Sequence, residues 1–205
     1  MFDNREIPLH VDVPVRREIL GGREVTVARV TDAPGAKALA ERGNVFGFGN
    51  TASLAAGSLF SSSAVSEADL VSHSVNQGVC NAGQDVALSG GVSQEDLVNL
   101  LADFRVSGRA ERGYSLEDLA QTLEAGSRVI AFVNAGELWD TVDEPSLIGA
   151  NSAVVMEGVA RDAQSQEICA FLMRDPARPE QEIFVDADKT MRAWLDAGGW
   201  QIVRN

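Results

Sequence analysis

The stretch Ser152–Pro176, SAVVMEGVARDAQSQEICAFLMRDP, holds two strand candidates, SAVVMEGVA (152–160) and EICAFLMRD (167–175), on either side of a polar connection. A third candidate, RVIAFVN (128–134), precedes them. EIFVD (182–186), a helical segment TMRAWLDAGG (190–199) and a closing strand WQIV (200–203) follow. Upstream lie two helix candidates, SQEDLVNLLADF (93–104) and SLEDLAQTLEAG (115–126). Each opens on a serine with acidic residues two or three positions on, as helix capping requires, and their leucines recur at three- and four-residue spacing. Gly113 and Gly126 stand where turns are needed. Helices come first and an antiparallel sheet second, which is an α+β arrangement.

The N-terminal part reads differently. IPLHVDVPV (7–15) and REVTVARV (23–30) alternate apolar and polar residues, with LGGRE (20–24) as a hairpin turn between them. DAPGAKALAERG (32–43) has a cap at Asp32 and a stop at Gly43, so a short helix is expected. GNVFGFGNTASLAAGSLFSSSA (43–64) is rich in Gly, Ser and Ala and reads as a close-packed loop or linker. The chain therefore divides into an N-terminal extension, 1–65, and a domain, 66–205.

Composition narrows the function classes. The 205 residues are 45% hydrophobic, enough for a sizeable core. The formal charge is −13 with no run of Lys or Arg, which disfavours nucleic acid and anionic membranes as partners. No apolar run approaches the roughly 20 residues of a bilayer span, so no membrane insertion is expected. The start MFDNREIPLH is too polar for a secretory signal, so cytoplasmic residence, or export without such a signal, is expected. Two cysteines are too few for a disulfide framework, and no Cys/His spacing fits a zinc site. No cofactor is expected.

Cys80 lies in NQGVCNAGQ (76–84), behind a glutamine and ahead of an expected helix. It is either a nucleophile activated by the helix dipole or a small buried residue. Cys169, inside EICAFLM, reads as core, as do Trp139, Trp194 and Trp200. His73 falls in a segment expected to be irregular and reads as a surface residue, and His10 sits with the polar set of its strand. FGFGN (46–50) lacks the lysine of a phosphate loop and reads as packing.

The order of these elements resembles the papain-like cysteine peptidases, closest to the bacteriocin-processing peptidases of peptide exporters. That family places a nucleophilic cysteine at a helix start, then two helices, a strand of the RVIAFVN type, a His-Ala-Val-Val strand and a strand ending in Asp-Pro. Here SAVVMEGV and LMRDP stand at the last two places, and IFVDADKTMRAWLDAGGWQIV is similar to the family's closing segment. The resemblance covers roughly Ser72–Asn205. It implies a papain-like α+β fold with Cys80 at the nucleophile position, Asp175 as the carboxylate that orients the histidine, and Gln77 at the oxyanion hole. Outside the resemblance, Asp175 before Pro176 could simply start a turn.

The histidine position is occupied by Ser152. A thiol needs an imidazole to take its proton and to protonate the leaving amine, and serine does neither at neutral pH. Two functions remain open. The first is a degenerate peptidase domain that binds a peptide or partner protein without cutting. The second is a thiol hydrolase or acyl transferase with Cys80 as nucleophile and a base supplied by His73, a partner, or a native histidine at position 152.

Overall fold

The computed structural model describes residues 13–30, 51–61, 65–80, 90–140 and 149–204. Strands β1 (Val15–Leu20) and β2 (Arg23–Arg29) form an antiparallel hairpin. Gly21 and Gly22 at its tip hold φ of 58° and 83°, the left-handed pair that a two-residue turn needs and that residues with side chains resist. The turn expected at LGGRE is there. The earlier part of IPLHVDVPV with His10, the helix expected over 32–43, and FGFGN lie outside the described residues.

The loop expected within 43–64 is a helix. α1 (Ala52–Phe60) is buried from Leu54 to Phe60 because it lies between the sheet and two further helices, α2 (Glu67–Gln77) and α3 (Gln94–Asp103). A helix covered on every side needs small residues where its neighbours come closest. At Gly57 an added Cβ would stand 3.0 Å from Leu97 Cδ1 and 3.3 Å from Leu70 Cδ1. The Ala, Gly and Ser that suggest a linker are what permits this burial.

The rest of the sheet comprises β3 (Gly108–Arg112), β4 (Val129–Val133), β5 (Ser152–Asp162), β6 (Ile168–Arg174), β7 (Glu182–Asp186) and β8 (Trp200–Arg204). Its order is β1-β2-β5-β4-β8-β3, and β6 lies on the other edge of β5 and carries β7. Every pairing is antiparallel. Along one edge β5 pairs first with β4 (Ser152–Met156) and then with β2 (Gly158–Asp162).

Alternation along β4 divides the core. Ile130 and Phe132 face α1, α2 and α3, whereas Val129, Ala131 and Val133 join Leu119, Leu123 and Trp194. The second layer is built by α4 (Leu116–Glu124), α5 (Ala135–Trp139), α6 (Ala187–Thr190) and a π-helical turn, Met191–Leu195. The expected caps hold: Ser93 accepts from the Asp96 N–H and Ser115 from the Asp118 N–H. Three further elements are additions to the expected order: α2, β3 and α5.

A line of alternating charges crosses the sheet. Arg128, 1% exposed, lies 3.9 Å from Glu157, which pairs with Arg174 at 3.0 Å. Arg174 continues to Glu182 at 3.3 Å, Glu182 to Arg29, and Arg29 to Glu18 at 3.1 Å. The line ties the hairpin to β7, β6 and β5. Cys169, expected in the core, is half-buried at the start of β6, where it packs against the small patch around Val25, Val27 and Ala170.

Candidate functional site

Ser152 opens β5 and lines a cleft of about 160 Å³. The other walls are Ala52 and Ser53 in the first turn of α1, Gly91, Val92 and Gln94 leading into α3, Phe132 of β4, and Ala150 and Asn151. Four distant parts of the chain meet here because the first turn of α1 lies over the end of β4 and the start of β5.

The two ends of α1 are treated differently. At its C-terminus Arg128 donates to the carbonyls of Leu59 and Phe60 at 3.4 and 3.3 Å, and Arg204 donates to Phe60 O at 3.4 Å. These cations compensate the negative end of the helix dipole. At the N-terminus Thr51 makes no side-chain cap, because its hydroxyl donates to Glu67 at 2.7 Å. No acidic residue stands in the first turn. The first turn of α1 borders the cleft, and the carboxylate at its N-cap is that of Glu67 on α2.

The rim at Ser152 is held by the loop before it. Asn151 N–H donates to Val133 O at 3.0 Å, and Asn151 Oδ1 accepts from Ala135 N–H at 2.8 Å. Asn134, which caps α5 through Glu137 N–H, also donates its own N–H to Ala193 O of the π-helical turn at 2.7 Å. The rim is therefore braced through α5 to the core around Trp194.

The remaining expected site residues are not among the described residues that line this cleft. Asp175 follows β6, the strand beside β5, and its Oδ1 accepts from Ala177 N–H at 2.8 Å while its carbonyl accepts from Arg178 N–H. That is the turn-starting geometry of an Asp before proline. Cys80 is half-buried two residues after Gly78, whose φ of 68° terminates α2. The helix expected to begin at Cys80 would occupy residues outside those described.

Gln77 and His73 belong to a different cluster. The segment of His73, expected to be irregular, is α2, started by a reciprocal cap in which Ser66 accepts from Asp69 N–H and Asp69 accepts from Ser66 N–H. One turn apart on that helix, His73 Nε2 lies 2.8 Å from Asp103 Oδ2 and Gln77 Nε2 donates to the same oxygen at 2.8 Å. Phe104 meets the His73 ring edge-on at 5.3 Å.

The hydrogen bond from His73, followed by that from Gln77, holds the Asp103 carboxyl below its usual range. Because the folded value is depressed, the interaction adds stability above the ordinary carboxylate range and loses it as pH falls through the folded value. In the His73→Ala variant the Asp103 carboxyl carbon, followed by NMR, should titrate at a higher pH than in the parent. An unchanged midpoint would mean that His73 does not hold the carboxylate in solution.

Among the described residues, no group of three or more His, Cys, Asp or Glu side chains is placed to hold a metal, and no helix is long and apolar enough to cross a membrane. Nor does the cleft present a titratable lining residue among those described.

No family model matches the chain, and no curated protein sequence matches it. A crystal structure from Bacillus anthracis, provisionally described as a C39-like peptidase, is similar in fold, with a TM-score of 0.52 at 16% identity. The likeness covers 76% of this chain and 88% of that one. The fold is therefore papain-like α+β in the C39-like arrangement. At this identity the likeness speaks to the fold alone.

Proposed function

We propose that this chain is a papain-like domain that holds a peptide segment of a partner protein in the cleft at Ser152 and does not cut it. The observation that carries this reading is the chemistry of the lining. Ser53, Gln94, Asn151 and Ser152 supply neutral hydrogen-bonding groups, Val92 and Phe132 supply apolar surface, and none of them transfers protons at neutral pH. Serine stands where the resembling family has its histidine, and Cys80 is not a lining residue.

Size points the same way. A volume of about 160 Å³ is below the roughly 300–1,000 Å³ of sites that enclose a whole small molecule. One side chain and its flanking backbone suit it better.

Random peptides displayed on phage supply the test. Selected peptides should bind the parent and lose about tenfold or more in affinity to Ser152→Phe, whose ring fills the cleft, with the melting temperature as a control for folding. Mass spectrometry of the bound peptides should find them intact. Binding that ignores Ser152→Phe would overturn the cleft as the site. Cleavage abolished by Cys80→Ala would instead establish the thiol hydrolase.

A further inference from the structure

β1 is the outermost strand of its sheet, and among the described residues nothing pairs with its free edge. Its sequence is VRREIL, and side chains alternate between faces. Val15, Arg17 and Ile19 share the solvent face, where Val15 is 63% and Ile19 71% exposed. Arg16, Glu18 and Leu20 share the other face, beside Val25 and Val27 of β2. A free edge with two bare aliphatic side chains is a template for another strand.

We infer that the strand β1 of a second copy of this chain pairs antiparallel with this edge, so that the sheets of two molecules run on as one. The argument is self-complementarity. A two-fold axis perpendicular to the sheet must set residues of the same face opposite each other, so the axis passes beside a residue, not between two.

With the axis at Arg17, Val15 meets Ile19 of the second copy and Arg16 meets its Glu18, each pair occurring twice. The exposed aliphatics cover one another and two pairs of opposite charge form. The one like-charged pair is Arg17 with its own copy, and each Arg17 already has Glu24 at 3.3 Å on the same face. Moving the axis to Glu18 sets Glu18 against Glu18 and Arg17 against Ile19. Moving it to Arg16 sets Arg16 against Arg16 and Val15 against Arg17. The register centred on Arg17 alone matches both faces.

Edge arginines can also serve to keep other strands away. Charge exchange between copies distinguishes the two roles. In a homodimer of Arg16→Glu the introduced carboxylate would face Glu18 twice, and in one of Glu18→Arg the introduced guanidinium would face Arg16 twice. Mixed, the two variants present two pairs of opposite charge. By sedimentation velocity over a concentration series the parent should dimerise, and each variant alone should do so about tenfold or more weakly. Their equimolar mixture should recover the parent's association.

Glu18→Arg also removes the bond from Arg29, so a second pair guards against misfolding. Val15→Lys and Ile19→Asp disturb no hydrogen bond described above, should each weaken the dimer, and should restore it when mixed, one Lys facing one Asp. A parent that stays monomeric throughout overturns the proposal. So does a mixture no tighter than its components in either pair.

Discussion

Replacing Glu157 with alanine is expected to lower the free energy of unfolding by about 3–5 kcal/mol, because it takes away the carboxylate that two buried cations share. Glu157 is 2% exposed on β5 and pairs with Arg174 through Nε at 3.1 Å and Nη2 at 3.0 Å. Arg174 is itself only 5% exposed, and Arg128, beyond Glu157, 1%. Removing the carboxylate takes a buried anion from beside both guanidinium groups, and Arg174 keeps only the more exposed Glu182 at 3.3 Å as a carboxylate partner among the described residues. Glu157→Gln keeps an acceptor but no charge, so an intermediate loss is expected. Chemical denaturation of the three proteins gives the comparison, and a loss below about 1 kcal/mol for the alanine variant would show that the two arginines are hydrated in solution.

Trp194→Ala should cost a similar amount, about 3–5 kcal/mol, by a different route. The indole is completely buried in the π-helical turn and donates from Nε1 to Trp200 O at 3.1 Å. Its far edge lies so close to Gly113 that an added Cβ there would stand 2.4 Å from Cη2. Truncation opens a cavity between the sheet and the second layer and leaves a carbonyl without its donor. For a chain of this size each kcal/mol lowers the melting temperature by about 2–4 °C, so a fall of roughly 6–20 °C is the expected readout. A fall of less than about 3 °C would mean that neighbouring side chains close the space.

Elements with a local signature were legible in the sequence. The serines at 93 and 115 announce α3 and α4, and the apolar runs at 129–133, 152–160 and 168–174 announce β4, β5 and β6. Where tertiary contacts override local pattern, reading fails. α1 shows no clear apolar stripe because it is covered on all sides, so it has no polar face to reveal a helical period. β3, GRAER, is a short, largely polar edge strand held by pairing with β8, a partner about ninety residues away. α2 was readable in principle, since Ser66 with Asp69 three positions on is a capping signature.

The candidate site divides in the same way. Ser152, the first residue of the strand SAVVMEGVA, could be singled out through the resemblance, which sets it at the family's histidine position. Ala52, Ser53 and Gln94 could not, because residues of ordinary type acquire a role only when the first turns of α1 and α3 close over the start of β5.

That manner of construction ties occupancy of the cleft to the folding equilibrium. Its walls come from residues 52 to 152, and no fragment of the chain contains them in proximity until the sheet and α1 are assembled. The unfolded chain thus offers nothing for an occupant to bind, and every occupant stabilises the native state by RT ln(1 + [L]/Kd), about 2.7 kcal/mol at one hundred times its Kd. Heat resistance then becomes an assay that presupposes no chemistry: a cellular peptide extract can be fractionated by the protection it confers, and the occupant recognised before anything is known of what it does.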